Sequence, residues 1–182
     1  MTGIYSDWPS IKKQLLVSAA NEKDVSSSHW DKMHQTFGFD DDKFYGLYGF
    51  GELLPPQTGI KLLVHRLLQL PFRWMAAKQS KFHDLDQIAG LICKRQNRFY
   101  NLDVLRQSLT IAWLISKLNK TLWDEKTILV IGDGFGTSTA LFLAYFPKIR
   151  VILINLTKTL LVDIAYIQKG LPQIKPVLVT NQ

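Results

Sequence analysis

Apolar residues recur three and four positions apart through the first two thirds of the chain, and then the pattern changes. Ile60, Leu63, Leu67 and Leu68 form one such series, Leu85, Ile88 and Ile92 a second, and Leu105, Leu109, Trp113 and Leu114 a third. This is the spacing of one helical face, so it predicts three helices. Pro71 should end the first, because its ring removes a backbone donor and crowds the preceding turn. Asp84 is the expected N-cap of the second helix, and Asn101 or Asp103 that of the third.

Beyond Trp123 short apolar runs alternate with helical segments. Residues 127–131 (TILVI) read as a strand covered on both faces. A glycine-rich turn follows, then a helix over 137–146 that is apolar nearly all round and is closed by Pro147. A second strand is expected over 150–155, a second helix over 158–171 and a third strand over 176–180. This β-α-β-α-β order implies neighbouring parallel strands joined by helical crossovers. The expected fold class is therefore α/β. A mainly α-helical N-terminal domain, residues 1–124, precedes the first half of a Rossmann-like sheet, residues 125–182.

Composition adds bounds to this picture. With 182 residues, 47% hydrophobic and 20% charged, the chain can bury a real core. Cys93 stands alone, which excludes an intramolecular disulfide and a thiolate zinc cluster. The N-terminus lacks the basic start and apolar run of a signal peptide, and no apolar stretch approaches the roughly 18–20 residues of a membrane span. A cytoplasmic location is expected. The net charge of +7 is concentrated in residues 58–100, where eight Lys or Arg face only Asp84 and Asp86. Such a belt can meet phosphates, an anionic membrane face or an acidic substrate, but the charges are spread along the helices, which favours a solvated helical face and not a nucleic-acid surface.

Two other stretches attract attention. Residues 37–51 alternate aromatics with glycines, which would suit a ligand loop stacking on sugars or bases, but the favoured reading is an irregular loop whose Phe and Tyr rings pin it to the helical core. Within it Asp40, Asp41 and Asp42 project in different directions and have no ligand-spaced partner, so they predict a solvated turn and no metal site.

The chemistry is legible mainly at Gly132, Asp133, Gly134, Phe135 and Gly136. Glycines there permit positive torsions and leave room for a ligand at the start of the next helix, whose N–H groups are free to meet it. The spacing is G-x-G-x-G and lacks the late glycine of the dinucleotide fingerprint G-x-G-x-x-G. No Gly-Lys-Ser or Gly-Lys-Thr follows, which argues against a P-loop. This favours S-adenosylmethionine as cofactor over NAD. An acid that grips the ribose is expected at the end of the second strand, and Asn155 stands there. Its amide should hold ribose hydroxyls more weakly than a carboxylate, so Asn155→Asp is expected to tighten binding.

The segments VIGDGFG (130–136) and INLTKTLLVDIAYIQKGLP (154–172) resemble the first two cofactor motifs of the sugar O-methyltransferase family. Residues 29–52, with Trp30 and the G-F-G-E ending, resemble that family's N-terminal region more loosely. The resemblance implies a Rossmann-like fold, S-adenosylmethionine held by the glycine turn and Asn155, and methyl transfer to a sugar or other small-molecule hydroxyl. It departs from the pattern at Val130, where an acid is common, and at Asn155 and Thr157, which replace Asp and Pro.

In a complete domain of this kind the acceptor site and catalytic groups come from later strands. The expectation is therefore a truncated or split chain, inactive alone, that self-associates or completes its sheet with a partner chain. No catalytic base is nominated, since His29, His34, His65 and His83 qualify by chemistry only. A non-catalytic remnant or binding module is the alternative, and an NAD-type Rossmann oxidoreductase fragment a weaker one.

Overall fold

The computed structural model describes residues 2–21, 37–40, 43–46, 55–118, 123 and 126–181. Its elements are, in order, β1 (Thr2–Tyr5), α1 (Trp8–Asn21), β2 (Gly38–Asp40), β3 (Lys43–Tyr45), α2 (Gly59–Ala76), α3 (Phe82–Arg95), α4 (Leu102–Lys117), β4 (Thr127–Ile131), α5 (Thr137–Tyr145), β5 (Arg150–Ile154), α6 (Thr157–Gly170) and β6 (Leu178–Asn181). The chain is thus mixed α/β, with helices predominating.

The three expected helices form, with different ends. Helix α2 continues through Pro71 and stops only at Ala76. Tethers on both sides of the proline hold it: Gln69 Nε2 donates to the Tyr100 carbonyl at 3.1 Å, and Arg73 pairs with Asp86 at 2.6 Å. Pro71 is itself exposed, so water can serve the carbonyl it leaves unpaired. Helix α3 starts at Phe82, before the expected cap Asp84, because Phe82 is buried and draws the start back. Asp84 then lies in the first turn, where the helix dipole favours an acid. Asn101 caps α4 as expected, its side chain accepting from the Val104 N–H at 3.0 Å.

Strands β4 and β5 pair in parallel, with Thr127 opposite Arg150 and Ile131 opposite Ile154. The expected third strand forms at Leu178–Asn181 but does not extend this pair. It lies antiparallel to β1, with Tyr5 opposite Leu178. The reason is packing: α1 lies against α6, which brings the N-terminal strand to the end of the chain. Among the described residues, therefore, no doubly wound sheet is formed.

Nor is the parallel pair covered on both faces, as the apolar runs suggested. Ile128, Val130, Val151 and Leu153 pack against the main core, whereas Leu129, Ile131, Ile152 and Ile154 are exposed.

The change of pattern near residue 124 separates element types and not cores. The main core joins Leu85, Ile92, Leu105 and Ile111 with Leu141, Phe142 and Ile167, so helices from both parts share one interior. Helix α6 is the most buried of the described helices, giving Ile167 to this core and Leu161, Val162, Ile164 and Tyr166 to two smaller ones, and it lies against α1, α3 and α5. The aromatic segment is a hairpin of β2 and β3 where an irregular loop was expected. Phe44 stacks on Tyr166 of α6 with centroids 6.2 Å apart, so the ring does pin the segment to the interior. Asp40 pairs with Lys43 in the ladder, while Asp41, Asp42 and residues 47–51 lie outside the described residues.

Candidate functional site

The glycine turn joins the end of β4 to α5. Gly132, Gly134, Phe135 and Gly136 all have positive φ, between 59° and 70°. Such a run is accessible mainly to glycine, and Phe135 is held in it by burial against Tyr166, edge to face at 5.2 Å. Gly136 has a second constraint. A Cβ there would stand 2.4 Å from Ile167 Cγ1 and 2.7 Å from the Asp163 carbonyl oxygen. Its missing side chain lets α5 close on α6, whereas at Gly132 a Cβ would meet nothing within 4 Å.

The N–H groups of this turn are not left free, as the sequence suggested. Asp133 accepts from the Ser138 N–H at 2.8 Å and the Thr139 N–H at 2.7 Å, closing the first turn of α5. Asp163 accepts from the Gly136 N–H at 3.0 Å. A carboxylate at a helix N-terminus is favoured by the dipole and by the otherwise orphaned donors.

Asp163 is fully buried on α6 and was not anticipated as a site residue. It also accepts from Asn155 Nδ2 at 2.7 Å, while Asn155 Oδ1 accepts from the Leu156 N–H at 2.9 Å. Asn155 therefore sits next to the glycine turn, where the Gly132 N–H donates to the Ile154 carbonyl at 3.0 Å, but its amide is committed to the protein. Burial and the nearby Asp133 push the Asp163 carboxyl up to about 7, against the opposing effect of its N–H donors. Burial also raises Asp133, opposed by the donors of Thr139 and Ser138.

Arg98 is the second residue that pattern alone does not single out. Helix α3 ends with Asn97 at φ 53°, the Asn97 N–H donating to Lys94 and the Arg98 N–H to Cys93. This is a left-handed cap with Asn in the glycine position, and it turns Arg98 back into the protein. Arg98 is 7% exposed, its Nη2 donates to Thr137 Oγ1 at 3.3 Å and its guanidinium lies 4.7 Å from the Phe135 ring centroid. Its Nη1 is buried without a hydrogen-bond partner.

The turn thus brings together Gly132, Asp133, Gly134, Phe135, Gly136 and Asn155, and adds Asp163, Thr137 and Arg98. Of the candidate histidines, His65 packs at a tilt against Phe99 and His83 bonds Gln87, so neither belongs to this group. His29 and His34 lie outside the described residues, as does most of segment 29–52. Among the described residues, no cluster of three or more His, Cys, Asp or Glu could hold a metal, and no helix is long and apolar enough to cross a membrane. No protein-family model, no curated protein and no solved structure matches this chain.

Proposed function

We propose that the turn over residues 132–136 binds S-adenosylmethionine, and that the chain is the cofactor-binding part of a methyltransferase acting on a sugar or other small-molecule hydroxyl. The observation that carries this reading is the left-handed glycine turn leaving a parallel strand for a helix, with Asp133 and Asn155 beside it. Ligands of open parallel sheets bind at such strand ends.

The charge of the turn supports this cofactor over a dinucleotide. The N–H groups that would cradle a pyrophosphate are taken by Asp133 and Asp163, and a diphosphate there would meet carboxylates. S-adenosylmethionine brings an ammonium and a sulfonium, which an acidic turn attracts. Methyl transfer itself needs alignment of the acceptor hydroxyl with the sulfonium methyl and a base to take the proton. Asp163, raised to about 7, has the chemistry of a base, but it is fully buried and both its oxygens are held by Gly136 and Asn155, so turnover by this chain alone is not expected. A binding module without turnover is the second reading, favoured by the commitment of the Asn155 amide to Asp163.

Calorimetric titration with S-adenosylhomocysteine and, separately, with NADH tests the cofactor. Binding of the first and not the second is expected. Binding of NADH alone, or of neither, would overturn the proposal.

A further inference from the structure

A cavity of about 440 Å³ opens between α2, α3 and the segment that follows α3. This is the size of a small-ligand site. Its lining residues include four basic ones, Arg66, Arg73, Lys94 and Arg98, and a single acidic one, Asp86. That carboxylate is already used. Arg73 Nη1 holds one oxygen at 2.6 Å and the Tyr100 hydroxyl donates to the other at 2.6 Å.

The other basic residues make no ion pair among the described residues. Arg98 bonds only a hydroxyl. Arg66 and Lys94 are exposed, so water can satisfy them, and the C-terminal end of α3 softens the charge of Lys94. Arg98 is buried instead: its guanidinium packs on the Phe135 and Tyr166 rings, Asp103 and Asp133 support its charge, and its unpartnered Nη1 is enclosed.

We propose that this cavity binds a small molecule carrying a phosphoryl group. Arg66 and Lys94, unpaired on the wall that also carries the Arg73–Asp86 pair, match a multiply charged oxyanion better than a single carboxylate. Arginine forks bind phosphoryl oxygens bidentately, and the volume leaves room for an organic moiety beyond the phosphoryl group. The cavity meets the glycine turn through Arg98, which reaches Thr137 and Phe135. It does not depend on which cofactor, if any, that turn takes.

Calorimetry at low ionic strength, with pyrophosphate as the probe and citrate as a carboxylate control, tests the proposal on the full chain. Pyrophosphate is expected to bind at millimolar concentration or below, and more tightly than citrate. The double variant Arg66→Gln, Lys94→Gln should weaken pyrophosphate at least about tenfold, since each lost charge-assisted contact removes a sizeable part of the affinity. Both residues are exposed, and circular dichroism checks that the variant folds. Lys117→Gln, Lys126→Gln, which removes two exposed charges elsewhere, should leave binding unchanged. No binding of pyrophosphate, tighter binding of citrate, or equal loss in the two double variants would overturn the assignment.

Discussion

Asn155 donates from its Nδ2 to the Asp163 carboxylate at 2.7 Å, and so fastens the end of β5 to the buried side of α6. The bond ties two elements that both border the glycine turn. Replacing Asn155 with Asp would set a second carboxylate against the first. We therefore expect Asn155→Asp to lower stability by about 1–3 kcal/mol at pH 8, with partial recovery in acid as one carboxyl protonates. This reverses the expectation from sequence that the change strengthens a ribose contact. Urea unfolding at the two pH values measures it, and an unchanged or raised midpoint at pH 8 would contradict the geometry.

The same carboxyl makes stability depend on pH. Asp163 titrates near 7 in the folded protein and near its ordinary 3.8 when unfolded. The unfolded chain thus gives up its proton first, and stability falls as pH rises from about 4 to about 7, then levels off. The change is at most a few kcal/mol, at about 1.4 kcal/mol for each pH unit between the two values. Asp163→Asn should flatten this part of the profile. Thermal melts of both proteins across that range provide the check, and parallel profiles would contradict the burial of a protonated Asp163.

The glycines of the turn should differ in their tolerance of a methyl group. Gly136→Ala forces Cβ into Ile167 and the Asp163 carbonyl in addition to the left-handed φ, so a loss of about 3 kcal/mol or more is expected. Gly132→Ala meets open space and incurs only the backbone term, about 1 kcal/mol. Equal losses on denaturant unfolding would mean that α5 and α6 do not close at Gly136.

These contrasts mark what the sequence could and could not convey. Strands β4 and β5 and helices α5 and α6 were legible to within a few residues, because apolar runs bounded by glycine or proline fix element type locally. The partner of β6 was not legible. A short apolar run such as PVLVT suits a parallel or an antiparallel neighbour, and the choice was made by α1 docking on α6. Pro71 misled because tethers at Gln69 and Arg73, distant in sequence from Tyr100 and Asp86, hold the helix across it. Asp163 and Arg98 escaped notice because a charged residue in a helix or at its end is ordinarily solvated. The one available signal was Asp163 standing inside the apolar stretch LLVDIAY.

The exposed face of the parallel pair predicts association. Ile131 is 72% exposed and Ile154 51%, adjacent across the register, and a contiguous apolar patch of this kind favours burial against another surface. The expected state in solution is self-associated. The double substitution Ile131→Lys, Ile154→Lys should shift light scattering toward the monomer. A wild-type chain that is monodisperse and monomeric at high concentration would contradict this.

The most direct measurement for the cofactor reading is an amide-resolved NMR titration of the chain with S-adenosylhomocysteine. The largest shifts are expected on the N–H groups of Gly132, Asp133, Gly134, Phe135 and Gly136, with Leu156 beside Asn155 also moving, and Gly134→Val is expected to abolish them. Shifts spread over the surface, shifts confined to other elements, or an unaltered response in Gly134→Val would contradict the cofactor reading.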